Sequence, residues 1–173
     1  MPACVFDAAI MLLVTDDLAL APPPPDPADQ HDPAGRARDR LTFLFEKLDN
    51  ERTSIILPTP VLTELLASAR SDVSATLAIL NGLARIRIES FGQRAAIECA
   101  EMLRRMVRGS GPRSKVKFDH QIVAIAKVAG AAVVYSDDRD VKALCEREGL
   151  VCHGVWDLPP RPIDPQASLP LGE

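Results

Sequence analysis

Short apolar runs, most of them closed by a carboxylate, a proline or a turn, alternate with helix-period segments along nearly the whole chain. ACVF at 3–6 is strand-like; it meets Asp7 and passes into an apolar, helix-like stretch that ends near Val14. Further strands are read at 54–57, 86–88, 132–135 and 150–152. Helices fall between them. Within 36–49, Leu41, Leu44, Phe45 and Leu48 recur at i, i+3, i+4 and i+7, the spacing of one helical face. Thr59 is a favoured N-cap and Pro60 suits the first position of a helix that turns Val61, Leu62, Leu65 and Leu66 inward. Later helices are expected at about 71–83, at 93–107 (broken by GSGP), from a capping Asp119 to Ala129 with Gly130 as terminator, and at 137–147 ending in Gly149. Buried strands in alternation with helices predict a parallel sheet covered on both faces, a three-layer α/β/α sandwich.

With 173 residues, 47% of them apolar and 25% charged, the chain reads as one ordinary globular domain over 1–158, followed by a proline-rich tail at 159–173. APPPPDPADQHDPAG at 21–35 cannot continue a helix or donate to a ladder, so it reads as an exposed extended loop. Arg36, Arg38 and Arg40 just beyond it are expected to face solvent or a ligand. The N-terminal apolar run has no basic leader and contains Asp7, which argues against a targeting peptide. No apolar run approaches the roughly 20 residues that span a bilayer. Cys4, Cys99, Cys145 and Cys152 form no CxxC pair and read as buried free thiols of a reducing, cytoplasmic protein.

A formal charge of −4 argues against indiscriminate adhesion to nucleic acid, but the charge is uneven. Between Glu101 and Lys117 there are six basic residues (Arg104, Arg105, Arg108, Arg113, Lys115, Lys117) against one acid. Lys115 and Lys117, with Arg113 and Arg108, are candidates for contacting a phosphate backbone; a solvated basic loop is the bland alternative.

Four acids carry the functional signal. Asp7, Glu64, Asp119 and Asp138 each lie at or near the edge of an apolar strand or helix, where folding hides a carboxylate unless something needs it. Asp7 and Asp138 follow strands, and ligands of parallel sheets sit beyond the carboxyl ends of strands. Each acid has a bland reading. Asp119 is a favoured N-cap, Asp138 complements a helix dipole, and Glu64 sits on a solvated face. Asp7 resists such a reading, because it interrupts an apolar run. Two carboxylates about 4 Å apart repel by about 4 kcal/mol at an effective dielectric near 20, so a gathered cluster calls for a cation. Oxygen donors without histidine or thiol select Mg²⁺ or Mn²⁺, and the chemistry that follows is hydrolysis of a phosphate ester.

VFDAAIMLL, ILPTPVLTELLA, KFDHQIVAIAK and VVYSDDRDV, in this order, resemble the PIN-domain ribonucleases, a family that includes the toxin subunits of many bacterial toxin–antitoxin pairs. The resemblance covers roughly residues 3–152. It implies an α/β/α fold and a Mg²⁺- or Mn²⁺-dependent endoribonuclease whose site acids correspond to Asp7, Glu64, Asp119 and Asp138. It also implies an accessory acid at Asp140, an antitoxin partner and a homodimer. Asp137 competes with Asp138, although the hydroxyl–any–Asp order of Ser136, Asp137 and Asp138 favours Asp138. The sequence departs from the family at Ala9, where a small polar residue is usual; a hydrogen bond that orders Asp7 or a metal-bound water is then missing, which implies weaker activity unless another residue substitutes. The loop at 21–35 is also longer than in compact toxins.

Glu98, at the edge of an apolar helix face, is a candidate accessory carboxylate or an ordinary boundary residue. His120 is the one histidine placed to touch substrate, and Trp156 reads as a packing anchor for the tail. Three other readings remain: a DNA-directed or structure-specific nuclease, a catalytically degenerate RNA- or protein-binding module, and a receiver-type phosphoacceptor. The last is disfavoured because no lysine directly follows VVYS.

Overall fold

The computed structural model describes residues 2–68, 73–106 and 113–162, with side chains at 113–117 left undescribed. Five strands, β1 (Ala3–Phe6), β2 (Ser54–Pro58), β3 (Ile86–Glu89), β4 (Val133–Tyr135) and β5 (Val151–His153), form one sheet in the order β3-β2-β1-β4-β5. Every pairing is parallel. β1 is the central strand and all four of its residues are buried, which explains why ACVF is apolar throughout rather than alternating. Phe6 stacks on Phe45 at a ring separation of 5.3 Å and tilts against Tyr135 at 4.7 Å.

Among the described residues, seven α-helices pack with the sheet: α1 (Ala8–Thr15), α2 (Pro33–Asn50), α3 (Thr59–Ser68), α4 (Val73–Gly82), α5 (Gln93–Arg105), α6 (Arg113–Val128) and α7 (Arg139–Arg147). Gly130 follows α6 with φ +66°, the left-handed conformation that glycine adopts without a Cβ penalty.

Several local expectations need correction. The proline-rich segment does not stay extended to Gly35. α2 starts at Pro33, because Asp32 caps it through Gly35 N–H at 3.0 Å and Pro33 occupies the first helical position. Arg38 and Arg40 therefore lie inside a helix and face neither open solvent nor a ligand. Arg38 donates to the carbonyl oxygens of Leu13, Asp16, Asp17 and Ala19, clamping the chain where it leaves α1. Arg40 pairs with Asp29 at 2.8 Å, donates to the Leu158 carbonyl and lies over the Trp156 ring. Trp156 in turn donates its indole N–H to Pro22 O at 2.9 Å, so it anchors the proline segment. Thr59 opens α3 directly from β2, and its hydroxyl accepts from Phe91 N–H at 3.2 Å instead of capping its own helix. α6 begins at Arg113, so Asp119 is well inside it and caps nothing. Arg, Ser and Lys are adequate helix formers, but RSKVK has no apolar stripe to reveal its first turns.

No helix among the described residues is long and apolar enough to cross a membrane. All four cysteines are free thiols; Cys4, Cys99 and Cys145 are buried and Cys152 is half-buried.

Candidate active site

The carboxyl ends of β1 and β4 lie side by side, and the site grows from that adjacency. Asp7 directly follows β1, and its backbone N–H donates to Tyr135 O at 2.9 Å, extending the ladder by one bond. Its side chain then turns into the N-cap of α1, where one oxygen accepts from Ala8 N–H at 2.7 Å. The other oxygen accepts from the Ser136 hydroxyl at 2.6 Å. Ser136 follows β4, is 1% exposed, and itself accepts from Asp138 N–H at 3.1 Å. A hydroxyl relay therefore ties Asp7 to the start of α7.

Asp138 is the N-cap of α7, with its side chain accepting from Asp140 N–H at 2.7 Å. Capping does not remove it from the cleft. Asp7, Glu64, Asp119 and Asp138 all line one cavity of about 480 Å³ together with Ala9, Thr63, Ala67, Phe118 and Ile122. Its opposing walls have the same pattern: Thr63, Glu64 and Ala67 on α3, and Phe118, Asp119 and Ile122 on α6, each at i, i+1 and i+4. On each wall one acid projects from a strip of small or apolar side chains. Asp7 is 6% exposed and Asp119 is 9% exposed, so both carboxylates are largely withdrawn from solvent. The Glu64 carboxyl is pushed above the ordinary carboxylate range, first by desolvation and then by the negative charges of Asp7 and Asp138. Among the described residues, no three His, Cys, Asp or Glu side chains stand in a ready-made metal-holding array.

The other sequence candidates separate from this group. Asp137 accepts from Val155 N–H at 2.8 Å and is absent from the cleft wall, so it holds the turn after β5. Burial raises its carboxyl, the Val155 N–H opposes that rise, and the charges of Asp157 and Asp7 add to it. Asp140 is exposed, does not line the cleft, and donates its backbone N–H to Asp138. Glu98 pairs with Lys127, which bonds Glu148 at 2.7 Å, and Glu148 also pairs with Arg105 at 2.9 Å; Glu98 is thus a strut between helices and not part of the cleft. His120, about 100° around α6 from Asp119, lines a different cavity with Met102, Arg105, Leu144, Arg147 and Glu148, away from the acids. Arg113, Lys115 and Lys117 lie in the first turns of α6, and Arg108 falls outside the described residues.

Ser136 is the residue that sequence reasoning undervalued. Its hydroxyl favours Asp138 over Asp137 in the sequence, and in the structure it accepts from Asp138 N–H and also donates to Asp7. Ala9 is exposed in the cleft, and Asp7 receives a side-chain hydrogen bond from Ser136.

No protein-family model and no curated protein sequence matches the chain. Solved structures do. DNA-bound VapBC from Salmonella typhimurium matches with a TM-score of 0.58 at 16% identity, over 90% of this chain and 99% of that one. VapBC2 from Rickettsia felis, bound to a promoter DNA fragment, matches with a TM-score of 0.52 at 14% identity, over 88% and 98%. Mycobacterium tuberculosis VapC20, a sarcin–ricin loop cleaving toxin, matches with a TM-score of 0.51 at 16% identity, over 81% and 93%. The likeness is one of fold: this chain has the PIN-like α/β/α architecture with an all-parallel central sheet.

Proposed function

We propose that the chain is a Mg²⁺- or Mn²⁺-dependent endoribonuclease whose site is the cleft of Asp7, Glu64, Asp119 and Asp138. The observation that carries the reading is the arrival of these four acids, from four separate segments of the chain, in one cavity. Asp119 adds weight because it caps no helix, and capping was its bland explanation.

The donors fit a hard divalent cation. All are carboxylate oxygens, and the Glu64 carboxyl is raised first by desolvation and then by the charges of Asp7 and Asp138, the second of which a cation would relieve. Asp7, Asp119 and Asp138 would hold the ion, with Glu64 as a further ligand directly or through water. A bound cation lowers the pKa of water and neutralises charge developing on a phosphodiester. Asp7, fixed by Ser136 and Ala8 N–H, keeps one orientation through the reaction. Glu64, the most exposed of the four, would take a proton from the attacking water and pass it to solvent. The basic residues Arg113, Lys115, Lys117 and Arg108 would position the RNA backbone, and attack on phosphorus needs no covalent protein intermediate.

The likeness to VapBC structures, taken with the PIN-domain resemblance of the sequence, extends the proposal to a toxin with an antitoxin partner, and the resemblance alone adds a homodimer and an antitoxin that plugs the cleft. The test is cleavage of labelled RNAs in Mn²⁺ or Mg²⁺, with Asp7→Asn, Asp119→Asn and EDTA as controls. Metal-dependent cleavage lost in both variants is the expected result. A folded protein that binds Mn²⁺ and cuts none of the RNAs would make the degenerate binding module the better reading. The exposed Ala9 in the cleft wall is the feature that favours that alternative.

A further inference from the structure

Phosphodiester chemistry at the acids uses no aromatic side chain, yet one stands beside them. Of the five phenylalanines, Phe6 is buried, Phe43, Phe45 and Phe91 are half-buried, and Phe118 alone is exposed, at 44%. Phe118 directly precedes Asp119 on α6 and lines the same cavity. Ile122, one turn further along, continues its strip, and the facing wall of α3 offers the small side chains of Thr63 and Ala67. A volume of about 480 Å³ lies within the ~300–1,000 Å³ typical of ligand-holding clefts. An apolar wall with an exposed ring, beside acids suited to gripping a phosphate through a cation, has the two surfaces a nucleotide presents: a charged backbone and a flat base.

We infer that Phe118 is a stacking platform for an unpaired nucleobase of the RNA, adjacent to the phosphodiester held at the four acids; this rests on the nuclease reading above. Stacking on an aromatic face tolerates any base and requires one that is unstacked from its neighbours, because bases within an A-form duplex are not available to a side-chain ring. The cleft therefore takes single-stranded segments and loops and rejects uninterrupted duplex.

The test uses the full chain with Asp7→Asn, which removes cleavage, and a single-stranded oligoribonucleotide containing one 2-aminopurine, in Mn²⁺. Binding is expected to change the 2-aminopurine fluorescence. Adding Phe118→Ala is expected to weaken affinity by roughly 5- to 150-fold and to abolish the fluorescence change. Phe118→Tyr retains both, while Phe118→Leu, which keeps apolar bulk without a ring, behaves as the alanine variant. In the otherwise wild-type protein, the loss falls on KM more than on kcat. Thermal unfolding of each variant checks the fold. Equal affinity and equal fluorescence for Phe118 and its alanine variant overturn the platform, as does equally tight binding of a blunt duplex. RNA that fails to bind the Asp7→Asn protein at all overturns it too. Lack of metal-dependent cleavage by the wild-type chain, with the fluorescence signals intact, overturns the nuclease reading and leaves the platform standing.

Discussion

The Ser136 hydroxyl donates to Asp7 across 2.6 Å, joining the residue after β4 to the residue after β1 although 129 positions separate them in sequence. Ser136 is 1% exposed, so the proton has no solvent alternative, and Asp138 N–H fixes the hydroxyl from the other side. Ser136→Ala is expected to leave a buried carboxylate oxygen short of its donor. The cost is about 1–3 kcal/mol of stability, and Mn²⁺ affinity is expected to fall by roughly 10- to 100-fold, as for other groups that orient a ligand from behind. Calorimetric Mn²⁺ titration of the alanine and threonine variants checks this. Wild-type affinity in the alanine variant would sink the orienting role.

Glu148 lies between Lys127 and Arg105, and the network sets a pH response. Burial works to raise its carboxyl, but hydrogen bonding and charge from Lys127, then from Arg105, outweigh it and hold the carboxyl below the ordinary range. A carboxyl depressed on folding contributes stability that is fully present above its unfolded pKa and is lost as pH falls through the folded value. Glu148→Gln is therefore expected to destabilise at neutral pH by on the order of 1 kcal/mol after solvent screening, about 2–4 °C in Tm. The difference from wild type should vanish in acid. A gap in Tm that persists unchanged to pH 3 would show that packing, not charge, holds these helices together.

Much of the fold could be read because apolar runs and their breakers coincide with its elements: ACVF is the central strand, and Gly130 follows the helix it was expected to end. What escaped reading depends on long-range partners. Asp119 resembles a cap because RSKVK lacks an apolar stripe, and only the packed structure shows that the helix already exists there. Arg38 and Arg40 resemble solvent-facing charges until α1, the proline segment and Trp156 come within reach. In the cleft, all four acids are candidates in the sequence, but only Asp7 and Asp138 stand at element edges, while Glu64 and Asp119 lie within α3 and α6. The Ser136 bond could not be read, since nothing local to YSDD points towards residue 7. Glu98 is ambiguous in the sequence for the same reason: its partner Lys127 lies on another helix.

Asp137 and Asp138 are adjacent acids with different duties, and two variants should separate them. A Cβ at Gly154 would come within 2.5 Å of the Asp137 carboxylate, a contact that side chains essentially never make. Gly154→Ala is thus expected to push that carboxylate off Val155 N–H and destabilise the turn by about 1–3 kcal/mol. Asp137→Asn keeps an oxygen for Val155 N–H and removes a carboxylate whose ionisation burial disfavours, so its Tm should not fall and metal affinity should stay near wild type. Asp138→Asn should instead weaken Mn²⁺ binding at least tenfold. If Asp137→Asn removes Mn²⁺ binding and Asp138→Asn does not, the two assignments must be exchanged.

Metal should stabilise the fold through the same acids that bind it. Without a cation, desolvation and then the charges of Asp7 and Asp138 raise the Glu64 carboxyl, which opposes folding once the group is ionised. A ligand that binds only the folded state adds about 2.7 kcal/mol at a hundredfold excess over its Kd, roughly 5–10 °C in Tm for a chain of this size. Mn²⁺ is expected to raise Tm by that order, and EDTA to reverse the rise. Glu64→Gln removes one charge from the cluster, so its metal-free Tm should exceed that of wild type while its Mn²⁺-induced rise shrinks. Differential scanning calorimetry at neutral pH reads both effects in one experiment. A Glu64→Gln protein less stable than wild type in EDTA, with an undiminished response to Mn²⁺, would place Glu64 outside the metal cluster and leave three acids to hold the ion.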